Sequence, residues 1–287
     1  MERVNPTAML KKHIVIFFAV LLMPAISLAE GIDGGDKKFQ GFNLQGYTQE
    51  GEKSWDVKGE SADIVGTQVN LKKVDANAYG EQKVNLTAET GSIDQASGNM
   101  RLEKDVVIRS EEGQQLMTNS LDWNKEANEV TTEDNVTITD ERITATGKGL
   151  KAQPGLKNAQ INKDVTVMMN TEAGVSAKTL TITSDGPMMI DQIKSMAEFH
   201  DNVIAIQEDK TLKANRMEIY FDQTQKQIKE IICIGNVVID QGENKTYADR
   251  AVYNAKDKKI TLSGRPKIIL LTEGENAITS IGDKESR

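Results

Sequence analysis

From Phe39 to about Gly274, short apolar stretches alternate with polar residues at a period of two, and turn residues interrupt them at short intervals. This pattern predicts β-strands. One phrase recurs: an Asp or Asn, a Val, a variable residue, and usually a β-branched residue. It reads Asp105-Val106-Val107-Ile108, Asn135-Val136-Thr137-Ile138, Asp164-Val165-Thr166-Val167, Asn202-Val203-Ile204-Ala205 and Asn236-Val237-Val238-Ile239, with a degenerate copy at Pro266-Lys267-Ile268-Ile269. The intervals are 30, 29, 38, 34 and 30 residues. A period in this range marks a stacked architecture, in which each unit buries its apolar face only against its neighbours.

A second phrase follows the first within each unit. It reads Thr118-Asn119-Ser120-Leu121, Ala145-Thr146 leading to Leu150, Ala177-Lys178-Thr179-Leu180, Ala214-Asn215-Arg216-Met217 and Ala248-Asp249-Arg250-Ala251. Each unit therefore reads as strand, turn, small residue, strand, turn. The turn marks are Gly80, Thr90-Gly91, Ser97-Gly98-Asn99, Glu112-Gly113, Gly147, Pro154-Gly155, Asp185-Gly186-Pro187, Gly242 and Gly264 before Pro266. Each offers a residue suited to reversing the backbone. No segment keeps a helical period for three turns. Met188–Phe199 comes nearest, and a pair of strands explains it as well.

Period two also assigns faces. Thr137 sits between Val136 and Ile138, and Thr166 between Val165 and Val167, so the threonines face water. Val106, Ile108, Val136, Ile138, Val165, Val167, Val203, Val237 and Ile239 then point inward. Ile204 and Val238 fall in the outer register of their copies, which weakens the assignment there. The interior is a thin aliphatic layer running the length of the stack. It is a closed core if the sheets meet fully, and a groove for an elongated apolar ligand if they splay.

Composition fits this picture. The 287 residues are 38% hydrophobic and only 5% aromatic, less aromatic bulk than a tightly filled globular core carries. The formal charge is −8, which speaks against nucleic acid as a partner, because phosphate contacts require a basic face. The single cysteine, Cys233, lies in an apolar run and allows no intramolecular disulfide.

At the N-terminus Lys11 and Lys12 precede the apolar run 14–23, followed by Pro24 and Ser27-Leu28-Ala29. A basic start, a short apolar run and small residues at −3 and −1 describe a secretory signal cleaved after Ala29. The run is half the roughly 20 residues that span a bilayer; the alternative is an uncleaved inner-membrane anchor facing the periplasm. Removing residues 1–29 takes away Glu2, Arg3, Lys11 and Lys12, leaving 32 basic and 42 acidic residues. Residues 30–42 read as a flexible leader and 276–287 as a polar tail.

Catalytic constellations are sparse. After removal of the signal the one histidine is His200, read as a turn or edge residue. No Cys/His cluster suits zinc, and no cofactor is indicated. Glu111-Glu112 beside Gly113 is a solvated turn. Trp55 and Trp123 are read as core or groove-end packing rather than carbohydrate stacking.

Two long stretches resemble known families. Gly51-Glu52-Lys53-Ser54-Trp55-Asp56-Val57-Lys58-Gly59-Glu60-Ser61-Ala62-Asp63, then Leu86-Thr87-Ala88-Glu89-Thr90-Gly91, Leu102-Glu103-Lys104-Asp105-Val106 and Leu121-Asp122-Trp123, are similar to the lipopolysaccharide-export family LptC over residues 43–170. Leu212-Lys213-Ala214-Asn215-Arg216-Met217, Gly235-Asn236-Val237 and Tyr247-Ala248-Asp249-Arg250-Ala251-Val252-Tyr253 resemble the OstA/LptA-type repeat over 171–275. The resemblance implies an all-β fold, an elongated open β-jellyroll (β-taco) with two rolls in tandem. It also implies a periplasmic protein that shields the lipid A acyl chains of lipopolysaccharide in an apolar groove. The nine inward residues become lipid-binding candidates. The implied partners are the inner-membrane lipopolysaccharide ABC transporter and other jellyroll export proteins, joined by head-to-tail strand pairing. LptC-like proteins usually have one roll and an uncleaved anchor; this chain departs on both counts and reads as a fusion. Two rival readings remain at this point: an adhesin-like extracellular β-solenoid with a closed core, and a repeat-fold polysaccharide enzyme.

Overall fold

The computed structural model describes residues 36–79, 83–153, 158–170, 178–191, 193–222 and 227–269. The signal or anchor segment and the polar tail lie outside them. Among the described residues the regular structure is entirely strand: β1 (Lys37–Tyr47), β2 (Lys53–Val65), β3 (Gln68–Tyr79), β4 (Lys83–Asp94), β5 (Met100–Ser110), β6 (Gln115–Asn124), β7 (Glu129–Thr139), β8 (Ile143–Gln153), β9 (Asn158–Asn170), β10 (Thr179–Ser184), β11 (Met188–Asp191), β12 (Met196–Gln207), β13 (Lys210–Phe221), β14 (Ile228–Gln241), β15 (Asn244–Asn254), β16 (Lys259–Ser263) and β17 (Lys267–Ile269). No helix there is long and apolar enough to cross a membrane.

The strands form one antiparallel meander, each paired with the next. β10 and β11 share a single place: β10 pairs with Val165–Asn170 of β9, and β11 with Asn158–Ile161 of the same strand. β16 and β17 share the last place, against Arg250–Asn254 and Lys245–Tyr247 of β15.

Most strands bend in the middle. The ladder between β5 and β6 slips between Glu103 and Val106, that between β7 and β8 between Thr132 and Asn135, and that between β13 and β14 between Lys213 and Arg216. These are bulges, which bend a strand and sharpen its twist. Stacked in line, they fold the sheet along a spine into two facing walls. The first wall holds segments such as Met100–Glu103, Leu121–Asn124 and Met196–His200. The second holds Val106–Ser110, Gln115–Thr118 and Val203–Gln207. A single apolar cluster from Trp55 to Ala251 fills the space between them.

The repeated phrase marks this spine. Asp105, Asp164, Asn202 and Asn236 have φ of 52°, 54°, 50° and 49°, the left-handed region that Asp and Asn tolerate better than most residues. The Val that follows turns into the corner where the walls meet: Val106 and Val203 are 0% exposed. A short β-branched side chain fills that narrow corner. Gly147 serves the same bend in β8, where a Cβ would sit 2.4 Å from Ile161 Cγ2.

This changes several expectations from sequence. Gly91 and Gly147 lie inside strands, and Asp185-Gly186-Pro187 and Gly264–Pro266 break a strand in line instead of reversing it. Only Gly264 and Arg265 of these are left-handed, at φ of 77° and 56°; Gly147 and Gly186 are instead required by close approach, since a Cβ would sit 2.4 Å from Ile161 Cγ2 and 2.3 Å from Asp201 Oδ2. Of the copy Ala177–Leu180, Ala177 lies outside the described residues and β10 begins at Thr179. Residues 37–42, expected in the leader, already form β1, where Phe42 rests against the core. His200 is neither turn nor edge; it lies at the bend of the interior strand β12. Cys233 is buried in the core, and burial pushes its thiol up to about 12.

Candidate functional site

Because each strand doubles back on the spine, hairpins from both walls meet along the opposite side as two lips. A cleft opens there, lined by Val84, Ile108, Leu116, Ile138 and Ile143 of the second wall and Ile190 of the first. Its volume is about 30 Å³, room for a water-sized group.

The nine residues assigned inward share the interior. Val106, Ile108, Val136, Val165, Val167, Val203 and Val237 are buried. Ile138 and Ile239 are half-buried against the same cluster, and Ile138 lines the cleft. Ile204 and Val238 face outward and are half-buried. The facing wall was not assigned from sequence. It contributes Leu102, Leu121, Leu150, Ile161, Phe199, Met217 and Ile219, all buried. Its signal in the sequence is the alternation of Met100/Leu102 and Leu121/Trp123.

Both tryptophans point into the interior near the lips, one from each wall, and are buried. The lips and the outer face of the first roll are polar, while the outer face of the second roll also carries Ile204, Ile206 and Val238. Turns at the second lip carry exposed acid pairs, Glu111-Glu112 and Glu208-Asp209. No group of three or more His, Cys, Asp or Glu among the described residues is placed to hold a metal ion. His200 Nε2 lies 2.9 Å from Glu198 on the outer face, and Arg216 spans Glu198 and Glu218. Asp56 also faces outward but is covered. Burial works to raise its pKa, yet Lys53, Tyr79 and Asn77 donate to its carboxylate and hold it down at about 2.

Comparison with known proteins matches the two halves separately. Residues 33–170 match the model described as lipopolysaccharide-assembly, LptC-related. Residues 181–282 match the model of the LptA/(LptD N-terminal domain) LPS transport protein. The chain belongs to the lipopolysaccharide-transport families, LptC-related in its first part and LptA-like in its second. It is thus a lipopolysaccharide-transport protein by family. No curated protein matches the chain. Among solved structures, the crystal structure of LptH, the LptA-homologous periplasmic component of the lipopolysaccharide transport device of Pseudomonas aeruginosa, matches at 10% identity. That match covers 67% of this chain and 97% of the other, with a TM-score of 0.24.

The first LptC-related match ends at Asn170 and the second begins at Thr181. Across that boundary β9 pairs with β10 and β11 as any two neighbours do. The two rolls share one sheet and one core.

Proposed function

We propose that this chain carries lipopolysaccharide across the periplasm, with the lipid A acyl chains between its two walls and the saccharide outside the lips. Rolls at 43–170 and 171–275 act as one conduit, after cleavage of the leader behind Ala29. The observation that carries this is the uninterrupted aliphatic interior, which runs through both family segments. Each CH₂ removed from water contributes about 0.8 kcal/mol, so a lining of Val, Ile and Leu shelters chains without any chemistry specific to the sugar. The protein turns nothing over and needs no cofactor for this.

Its two ends support a bridging role. β1 pairs only with β2, and β16 and β17 only with β15, among the described residues. A strand with one unpaired edge is a template for β-augmentation. We assign these edges to partners of the same jellyroll type, on one side those of the inner-membrane ABC transporter and on the other those leading to the outer membrane.

The narrow cleft favours one rival, a structural stack whose core stays shut. Site-specific photocrosslinking in cells separates the two, with the probe at Ile138 and, separately, at Ile239. Both residues are half-buried and inward. Lipopolysaccharide adducts at both positions are the expected result. Adducts at Ile138 alone make the second roll a spacer, and none at either position leaves the shut stack.

A further inference from the structure

Three inward side-chain donors are buried with no protein acceptor in reach: the indole N–H of Trp55, that of Trp123, and the hydroxyl of Thr118. All belong to the first roll. Two further buried side-chain nitrogens among the described residues make no hydrogen bond, on His200 and Arg216, but these lie on the outer face within ion-pair distance of Glu198. Trp55 and Trp123 are 7% and 8% exposed.

Their positions are informative. Trp55 is the third residue of β2, just inside the lip of the second wall. Its indole lies over Gly46 of β1, where a Cβ would come within 2.0 Å of Nε1. Trp123 is the next-to-last residue of β6, just inside the lip of the first wall. Four strand spacings, roughly 19 Å, separate them along the stack.

A buried donor left without an acceptor costs about 1–3 kcal/mol, and Phe would fill either place without that cost. Tryptophan is favoured where an apolar phase meets water, as in the belts at membrane surfaces: the ring lies in hydrocarbon and the N–H finds an oxygen at the boundary. In a doubled-over sheet the lip is that boundary. The oxygens that reach it on an acylated lipid are those linking chains to head.

We infer that the indole N–H groups of Trp55 and Trp123 hydrogen-bond the ester or amide carbonyl oxygens of acyl chains held between the walls. The first roll thereby prefers acylated amphiphiles to plain alkyl chains. The second roll contains no tryptophan and passes chains without that preference. This rests on the lipid-carrying reading above.

The chain has two tryptophans in all, so ¹⁵N-labelled full-length protein gives two indole signals. It is titrated with diheptanoylphosphatidylcholine, which has acyl esters, and with dodecylphosphocholine, which has the same headgroup and none. The methyl signals of Ile138 report occupancy, and lipopolysaccharide serves as the third ligand. Both short lipids are expected to shift Ile138. Only the diacyl lipid is expected to move the indole protons downfield and slow their exchange. Replacing both residues, Trp55→Phe and Trp123→Phe, should weaken diacyl binding by about 3- to 10-fold, the range one or two neutral hydrogen bonds supply. Dodecylphosphocholine binding should change less than about twofold, and a melting temperature at or above that of the wild type shows that the variant is folded. If Ile138 responds but the indoles stay still, or respond alike to both lipids, the donor role is wrong and the carrier role stands. If no ligand, lipopolysaccharide included, perturbs Ile138, both fall.

Discussion

On the outer face of the first roll, Arg101 grips both oxygens of Asp122 and also meets Glu103, and Lys58 pairs with Asp75. At the corresponding outer positions of the second roll stand Ile204, Ile206 and Val238, with Ile232 and Ile234 on the other wall. The interiors are alike: Val106 and Val203 occupy the same corner, each 0% exposed. Both rolls have an aliphatic lining, whereas their outer faces differ. An apolar residue therefore identifies the interior only where its neighbours in the strand are polar.

The sharpest way to break this comparison uses two residues of one strand. Val203→Asp puts a carboxylate in a corner that is 0% exposed and lies within the apolar cluster. Stability should fall by about 4 kcal/mol or more, and the second roll should unfold in urea well before the wild type. A loss below about 1 kcal/mol would mean that the spine is open to solvent and that the two walls do not meet at the repeated Val.

Much of this was legible beforehand. The β class, the meandering stack and the inward set of Val106, Val136, Val165, Val203 and Val237 all follow from period two and a repeat of some thirty residues. What period two cannot carry is the bend. The repeat places Asn or Asp before each Val without saying that the chain bends there. In fact β5, β7, β9, β12 and β14 run straight through it and change wall. That hid the facing wall, including Phe199, Met217 and Ile219. The lips were equally hidden. Trp55 and Trp123 lie 68 residues apart, and nothing local says that the two share one interior.

A difference in pH response sharpens the comparison further. Asp56 belongs to the first roll, and its carboxylate is held at about 2, against 3.8 for the free side chain. A carboxyl lowered on folding contributes stability above its unfolded pKa, and that contribution is lost as pH falls through the folded value. The first roll should therefore lose about 2 kcal/mol between pH 4 and pH 2 on this account alone. Asp56→Asn should flatten that part of the curve. Denaturation followed by Trp55 and Trp123 fluorescence reads the first roll selectively, since the second contains neither. A variant that keeps the full acid dependence would place its origin elsewhere.

The smallest effect tests the outside of the second roll. Ile206 is 45% exposed and faces Thr181 and Thr211 across β10 and β13. Ile206→Thr keeps the β-branch and matches both neighbours, so stability should stay within about 0.5 kcal/mol of wild type by urea denaturation. Val203, three residues earlier in the same strand, is the inward counterpart. A cost of several kcal/mol at Ile206 would show that this face is covered in the folded protein, and the two rolls would then differ in a buried surface instead of an idle one. A neutral result confines the second roll's demand for apolar residues to its inner face, where Val203, Ala205 and Ile239 already meet it.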